Sequence, residues 1–373
     1  MLFTKERQLP IPVGLIDQMK KTEQNPRYHA EGNVYNHTLL VLEQFEKYRQ
    51  EQTLTPEEEE VLYWTCVLHD IGKPKVTHWV NGRWKATGHE KAGVPIARDI
   101  LLQQSNISQA QRQRILSLIR WHHIPLQWGL RQKDHHAYQV LATQVDMRML
   151  GLFSHFDMQG RICVQQDSVM DLIATFNQEI VPKIAFEIGT FEAIQTHFQK
   201  VSRDHKNALW RSIQLKRGEL LEKLFQAAPR PASFSPFVVT MTLGSPDDAA
   251  LASLQDQFAN LPSYDLSEVS LQITNAHERS LQLRQAKHFL SVYGKGQKHL
   301  WMHAGWLAPE DRQFLAEHIR QLGGEIRYQI YEQSLAHLTA SAAEEAEVSQ
   351  LKDVYAAWEL PHPWEGHQMT LFP

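Results

Sequence analysis

Apolar side chains recur at helical spacing over most of the first half of the chain. Residues 35–49 show this pattern, and Pro56 with the glutamates after it opens a second helix that runs into His69. The same pattern predicts further helices at residues 90–103, 108–122, 144–159 and 167–180. Facing apolar stripes on many helices predict an all-α helical bundle, which we assign to residues 1–226.

The helical pattern is interrupted directly after His69. Gly72 and Pro74 end the helix, and residues 77–85 contain Asn81-Gly82, the residue pair that a type I′ turn requires. We therefore expect a small β-hairpin beside the end of this helix.

The pattern changes in the second half of the chain. Residues 227–236 are rich in proline and cannot continue a helix, so we expect a linker there. Strand-like and helical runs alternate over residues 237–338, which predicts a smaller α/β domain. The predicted strands are residues 237–242, 299–303 and 325–331. Residues 339–373 are expected to form an acidic helix and a flexible C-terminal tail.

Composition narrows the class of protein. A chain of 373 residues has room for two domains with separate cores. Its net charge of -4 argues against a protein that coats nucleic acid in bulk, so any nucleic-acid contact is expected to be local. Cys66 and Cys163 alone cannot form a disulfide framework and fit a reducing cytoplasm. No stretch is apolar enough for a signal peptide or a membrane span, and we expect a cytoplasmic protein.

Histidine and aspartate residues in the first half form a series typical of metal ligands. They are His37, His69, Asp70, His89, His122, His123 and Asp157. Imidazole and carboxylate groups suit Mn, Fe, Ni or Co, with Zn as a further candidate. His37, the His69-Asp70 pair and Asp157 would hold one ion, and Asp70 would bridge to a second ion held by the remaining histidines. We predict two ions, with one as the alternative, and the choice between His122 and His123 stays open.

The short sequence motifs around these residues resemble those of a known family. The segments are His-Asp-Ile-Gly-Lys-Pro at 69–74, Gly-His-Glu at 88–90, Arg-Trp-His-His at 120–123 and the run at 28–38. Together they resemble the HD phosphohydrolase superfamily, and within it the HD domains of bacterial RNA-end enzymes and tRNA nucleotidyltransferases. The resemblance implies that a metal-bound water attacks a phosphorus atom.

Four other residues are candidates for catalytic roles. Lys73 and Arg161 could neutralise charge that develops on the phosphate, or could be solvated cations at helix ends. His29 and Glu31 precede the first candidate ligand. They could orient it from behind or take part in proton transfer, and we favour orientation.

The second half resembles the polynucleotide kinase domain that follows an HD domain in bifunctional bacterial RNA-end-repair proteins. Gly244-Ser-Pro-Asp-Asp stands where the phosphate loop should be. It lacks the lysine and hydroxyl of Gly-x-x-x-x-Gly-Lys-Ser/Thr, and its two aspartates would repel a phosphate. We therefore expect a degenerate P-loop kinase-like domain without kinase activity.

The last residues carry one more resemblance. Gln368-Met-Thr-Leu371-Phe372 is similar to the peptide with which bacterial replication and repair proteins dock on the DNA sliding clamp. An extended tail could place two apolar anchors in a partner's groove, or could pack them on its own domain.

Taken together, the sequence predicts a metal-dependent phosphohydrolase that removes phosphate from RNA or DNA ends, foremost a 2′- or 2′,3′-cyclic phosphate of RNA. A nucleotide or deoxynucleotide phosphohydrolase is one alternative, which a preference for mononucleotides would select. A non-catalytic repair adaptor that binds the sliding clamp is another, and its binding would survive mutation of Asp70.

Overall fold

The computed structural model describes residues 9–142, 144–188, 237–266, 276–294, 297–340, 345–358 and 368–372. The chain divides into two compact units, Met1–Phe191 and Glu192–Pro373. The predicted linker at 227–236, and the end of the first domain at residue 226, lie outside the described residues. Within those residues, no helix is both long enough and apolar enough to cross a membrane.

The first unit is helical, as the sequence pattern predicted. Its helices are α1 (Val13–Lys21), α2 (Val34–Glu51), α3 (Pro56–Leu68), α4 (Lys73–Val76), α5 (His89–Leu102), α6 (Gln109–Trp121), α7 (Ile124–Leu130), α8 (His135–Ala142), α9 (Met147–Gln159), α10 (Gln166–Thr175) and, after a π-helical turn at Phe176–Ile180, α11 (Val181–Ile188).

Local chemistry fixes where the central helices begin. Thr55 and Glu58 form a reciprocal capping box at the start of α3, and Ser108 and Gln111 form another at the start of α6. Helices α2, α3 and α9 pack against one another, and α6 packs on α3 and α5. Their apolar faces form a core that includes the fully buried Phe153. The bundle thereby brings the ends of α3, α5, α6 and α9 into one region.

The predicted hairpin is confirmed. Strands β1 (His78–Val80) and β2 (Arg83–Lys85) pair antiparallel, with Trp79 opposite Trp84. Asn81 and Gly82 connect them with φ angles of 51° and 75°, the left-handed values that a type I′ turn needs.

The second unit contains a parallel sheet. Its strands are β3 (Val238–Gly244), β4 (Ser263–Asp265), β5 (His299–Gly305), β6 (Glu325–Tyr331) and β7 (Gln368–Phe372), in the order β4-β5-β3-β6-β7. Every neighbouring pair is parallel. The helices are α12 (Asp248–Gln257), α13 (Ala276–Tyr293), α14 (Pro309–Gln321), α15 (Leu335–Ala340) and α16 (Glu345–Ala357). The α/β prediction is confirmed, and the central strand β3 is buried along nearly its whole length, as expected for a parallel sheet covered on both faces.

Close packing at the end of β3 accounts for the glycine at position 244. Gly244 has a φ of 85°, and a Cβ there would lie 1.9 Å from the backbone oxygen of Tyr331 at the end of β6. Only glycine allows this close approach between neighbouring strands. The next helix, α12, is capped from within the chain, because Oδ1 of Asp247 accepts a hydrogen bond from the amide of Ala250 at 2.7 Å.

The sequence pattern did not predict the last strand of the sheet, which lies in the segment expected to be a flexible C-terminal tail. Gln368–Phe372 form β7, whose backbone pairs with β6 at the edge of the sheet. The sequence pattern missed this strand because its pairing partner is distant in the chain and the segment follows a proline-containing stretch.

Candidate metal centre

The His69-Asp70 pair lies at the C-terminal end of α3, where the helix stops. His69 is the capping residue of α3, and its Nδ1 donates to the carbonyl oxygen of Cys66 at 3.0 Å. This bond directs Nε2 of His69 inward, 3.2 Å from Oδ2 of Asp70. The helix end therefore lets both neighbouring side chains face one point, as the sequence required.

Asp70 stands between two groups of histidines. Its Oδ2 lies 3.7 Å from Nε2 of His37, and its Oδ1 lies 3.2 Å from Nε2 of His89 and 3.9 Å from Nε2 of His122. One carboxylate oxygen thus faces the His37 and His69 side, while the other faces the His89 and His122 side. This is the arrangement that a bridging carboxylate needs.

Helix α9 completes the first group. Oδ1 of Asp157 lies 3.0 Å from Nε2 of His37, and both side chains are fully buried. Arg161, one turn further along, donates to Oδ2 of Asp157 at 2.7 Å. The six other predicted ligands therefore lie in one cluster with Asp70, including His123, whose ring centroid is 4.6 Å from that of His89.

Hydrogen bonds behind the rings fix their orientation. Nδ1 of His89 donates to the carbonyl oxygen of Ala86, and Nδ1 of His122 donates to that of Ile119, each at 2.7 Å. Nδ1 of His37 lies 3.0 Å from Oε1 of Glu31. The outer nitrogens of His89 and His122 are thus occupied by hydrogen bonds, and that of His37 faces the Glu31 carboxylate. In all three rings Nε2 faces the carboxylates of the cluster, which is how metal-binding histidines are held.

Glu31 is itself held in place from two sides. Its Oε1 also accepts from Nδ1 of His29 at 2.8 Å, and its Oε2 accepts from the amide of Ile162 at 3.0 Å. Burial alone would raise the pKa of Glu31, but the two imidazoles hold it below its usual value. The His29 ring also contacts that of His37, with centroids 4.8 Å apart, and burial and the nearby Lys73 keep the pKa of His29 well below its usual value.

The buried carboxylates remain ionised despite the cost of burial. Burial raises the pKa of Asp70, but the Lys73 ammonium, 2.7 Å from Oδ2, and the imidazoles hold it well below its usual value. Arg161 has the same effect on the pKa of Asp157, against the same opposing burial. Burial and the neighbouring histidines lower the pKa of His122 to about 3, so this ring is neutral near pH 7.

A close approach of backbone brings His89 to the cluster. A Cβ on Gly72 would lie 2.1 Å from the backbone oxygen of His89 and 2.5 Å from the amide nitrogen of Gly93. Only glycine lets the chain after Asp70 pack directly on the first turn of α5.

These residues fit a divalent ion. Among the described residues, none supplies a hydrogen bond of suitable geometry to Oδ1 of Asp70 or to Nε2 of His69, and Oδ2 of Asp70 has the ion pair with Lys73. All three atoms are buried, and buried polar atoms are ordinarily satisfied. Neutral imidazole nitrogens and ionised carboxylates are the donor set that divalent transition metals take.

A cleft of about 1010 Å³ opens over the cluster. His29, Lys73, His89, His123 and Arg161 all line it. Its walls also carry Arg83, Trp84, Lys85 and Arg131. The sequence predicted the hairpin beside the site but missed its part in the cleft, since a pattern of two short strands does not show which wall they will form.

Comparison with known proteins gives one match. Residues 34–147 match the family model described as HD domain, and they include His37, the His69-Asp70 pair, His89 and His122. Asp157 and Glu31 lie outside the matched residues and are brought in by the fold. No curated protein and no solved structure matches the chain. The HD match and the buried His/Asp clusters support a relationship to the HD-domain phosphohydrolase superfamily. In general terms, they also support metal-dependent phosphohydrolase activity.

Proposed function

We propose that this protein removes phosphate from nucleic-acid ends, foremost a 2′- or 2′,3′-cyclic phosphate at the end of RNA. The observation that carries the proposal is the position of the histidine and carboxylate cluster, at the floor of a cleft lined by lysine and arginine. Such a cleft attracts a phosphate and presents it to the metal site.

The donor atoms divide into two sets that share Asp70. His37, His69 and Asp157 would hold one ion, and His89, His122 and His123 would hold the second. When bound, the ions supply a water that is ionised near neutral pH and positive charge for the phosphate oxygens.

The cations of the cleft have a separate task. Lys73 is buried, and its Nζ donates to Oε1 of Gln24 at 2.6 Å while it faces Asp70. Lys73 and Arg161 both line the cleft, so each can contact a phosphate that lies beside the carboxylates. We assign them to charge neutralisation on the phosphate. Glu31 and His29 keep His37 in place and are positioning residues.

The test is phosphate release from matched RNA and DNA oligonucleotides with 3′-, 2′- and 2′,3′-cyclic phosphate ends, with Mn²⁺, Ni²⁺ or Co²⁺ added. Asp70→Asn keeps the shape of the side chain but removes the bridging charge, and we expect it to abolish release. Asp17→Asn, on an exposed position of α1, is the matched control and should keep wild-type activity. The absence of release from every end by the wild-type protein would refute the proposal.

A nucleotide phosphohydrolase is the second candidate. The volume of the cleft, about 1010 Å³, is ample for a mononucleotide. Nucleoside mono-, di- and triphosphates belong in the same assay, and faster release from them than from any oligonucleotide would select this function.

For the second unit we propose that no nucleotide phosphate binds after β3. The carboxylate of Asp247 already occupies the start of α12, where a phosphate loop would place its anion. Phosphorylation of a 5′-hydroxyl RNA end with ATP would contradict this. Docking of Gln368–Phe372 on a sliding clamp would first require release from β6, so the free peptide should bind a clamp more tightly than the whole chain.

A further inference from the structure

Most of the large exposed apolar side chains that the structure describes in the first unit lie in the lining of the cleft or next to it in the chain. Tyr28 and Leu130 line it and are 41% and 67% exposed. Ile162 and Val164 flank the lining residue Cys163 and are 50% and 98% exposed. Exposed apolar groups that collect at one rim mark a binding surface.

The β1–β2 hairpin adds aromatic rings to this rim. Trp84 lines the cleft, and Trp79, its cross-strand partner, lies outside it with 59% of its surface exposed. The two rings meet edge to face, with centroids 5.0 Å apart. This contact supports a two-stranded hairpin, but it leaves most of Trp79 open to a ligand.

The position of the hairpin relative to the metal cluster is fixed at both ends. The chain enters it from Lys73, which pairs with Asp70, and leaves it toward His89. Arg83 and Lys85, on either side of Trp84, also line the cleft. Aromatic rings beside cations along a groove are the combination that binds the bases and backbone of single-stranded nucleic acid.

We propose that this hairpin binds a single-stranded nucleic acid that extends out of the cleft, with one base stacked on Trp84 and the next stacked on Trp79. The inference rests on the proposed function and narrows it, because it makes the substrate an oligonucleotide end of at least two nucleotides. The cations of the hairpin neutralise the backbone phosphates of those nucleotides.

The test is the binding of labelled oligonucleotides with plain hydroxyl ends, of one, two, four and six nucleotides, to the metal-loaded full chain. We expect affinity to rise with length. Trp79→Ala should weaken tetranucleotide binding by about 5- to 150-fold, the effect of losing one stacked base, and leave mononucleotide binding unchanged. Trp79→Phe should restore most of the loss, and Phe314→Ala, at an exposed aromatic position of the second unit, should change nothing.

Kinetic measurements distinguish substrate binding by Trp79 from a merely structural role of this side chain. Trp79→Ala should raise KM for an oligonucleotide without changing hydrolysis of a small phosphodiester such as bis(p-nitrophenyl) phosphate. A loss of both activities, or Trp79→Phe as impaired as Trp79→Ala, would overturn the inference.

The remaining outcomes separate this inference from the proposed function. Wild-type affinity that rises with length and is untouched by Trp79→Ala would refute the hairpin's role and leave the proposed function standing. Hydrolysis of mononucleotides alone, without length-dependent binding, would refute both.

Discussion

The carboxylate of Glu31 lies beside Nδ1 of His37 and attracts a proton to that nitrogen, on the side away from the metal cluster, and Glu31→Gln tests this directly. In the wild type, the N–H groups of His29 and Ile162 donate to its two oxygens, and Nδ1 of His37 lies 3.0 Å from Oε1. Glutamine offers only one oxygen, so its amide N–H groups must face either Ile162 or the two imidazoles. If the amide faces Ile162, a buried donor is left unpaired at a cost of about 1–3 kcal/mol.

If the amide instead faces the imidazoles, His37 must accept at Nδ1 and carry its proton on Nε2. That proton points at Asp157 and Asp70 and blocks the lone pair that a metal needs. Loss of such a supporting group weakens metal binding by about 10- to 100-fold. We expect this loss at one of the two sites, since the histidines of the other site are held by Ala86 and Ile119.

The protein is first freed of metal with a chelator. Calorimetric titration with Mn²⁺ or Ni²⁺ near neutral pH then measures the metal affinity of each of the two sites. Glu90→Gln is the control, because Glu90 lies 3.4 Å from Nδ1 of His89, which already donates to Ala86 at 2.7 Å. We expect less than about a twofold change there, since that donor keeps its partner. Unchanged affinities in Glu31→Gln, or an equal loss in Glu90→Gln, would refute the reasoning.

Three further predictions concern stability. The folded-state pKa of His122, about 3, lies below the unfolded value of 6.5, so the unfolded chain takes the proton first. The neutral His122 therefore stabilises the fold above pH 6.5, and this stabilisation is lost as the pH falls toward 3. Between pH 7 and 5 the free energy of unfolding should fall by about 2 kcal/mol. His122→Asn should flatten this pH dependence, as measured by denaturant titrations. Gly72→Ala should lower stability by about 1–3 kcal/mol or more and weaken metal binding, because its Cβ meets the backbone of His89. Asp247→Ala should cost about 1 kcal/mol through the lost cap of α12, measured as a lower thermal midpoint, while Asp248→Ala leaves the cap in place.

The elements that local chemistry determines could be predicted from the sequence. Asn81-Gly82 requires left-handed backbone, and the hairpin is there. The end of α3 at the His69-Asp70 pair follows from Gly72 and Pro74, which cannot continue a regular helix. In these places a single residue or pair restricts the backbone, so no distant contact is needed to interpret it.

What depends on distant contacts could not be predicted. The sequence named Glu31 as a supporting residue but could not show that Ile162, far along the chain, anchors its second oxygen. It gave no strand order for the sheet, and it missed β7 because the pairing of β7 with β6 follows from the sheet and not from the local pattern. The contribution of Trp84 to the cleft is of the same kind.

The ion pairs of Lys73 and Arg161 have a consequence for how the site acquires its metal. Each buried carboxylate of the cluster already has a cation from its own chain, at 2.7 Å in both pairs. Folding therefore does not have to wait for an ion to balance these charges, as it must in small metal-dependent folds. Oδ2 of Asp70 faces both Lys73 and Nε2 of His69, so Lys73 would lose part of its hold on this oxygen if an ion were bound there. The ammonium of Lys73 would then be available to the substrate.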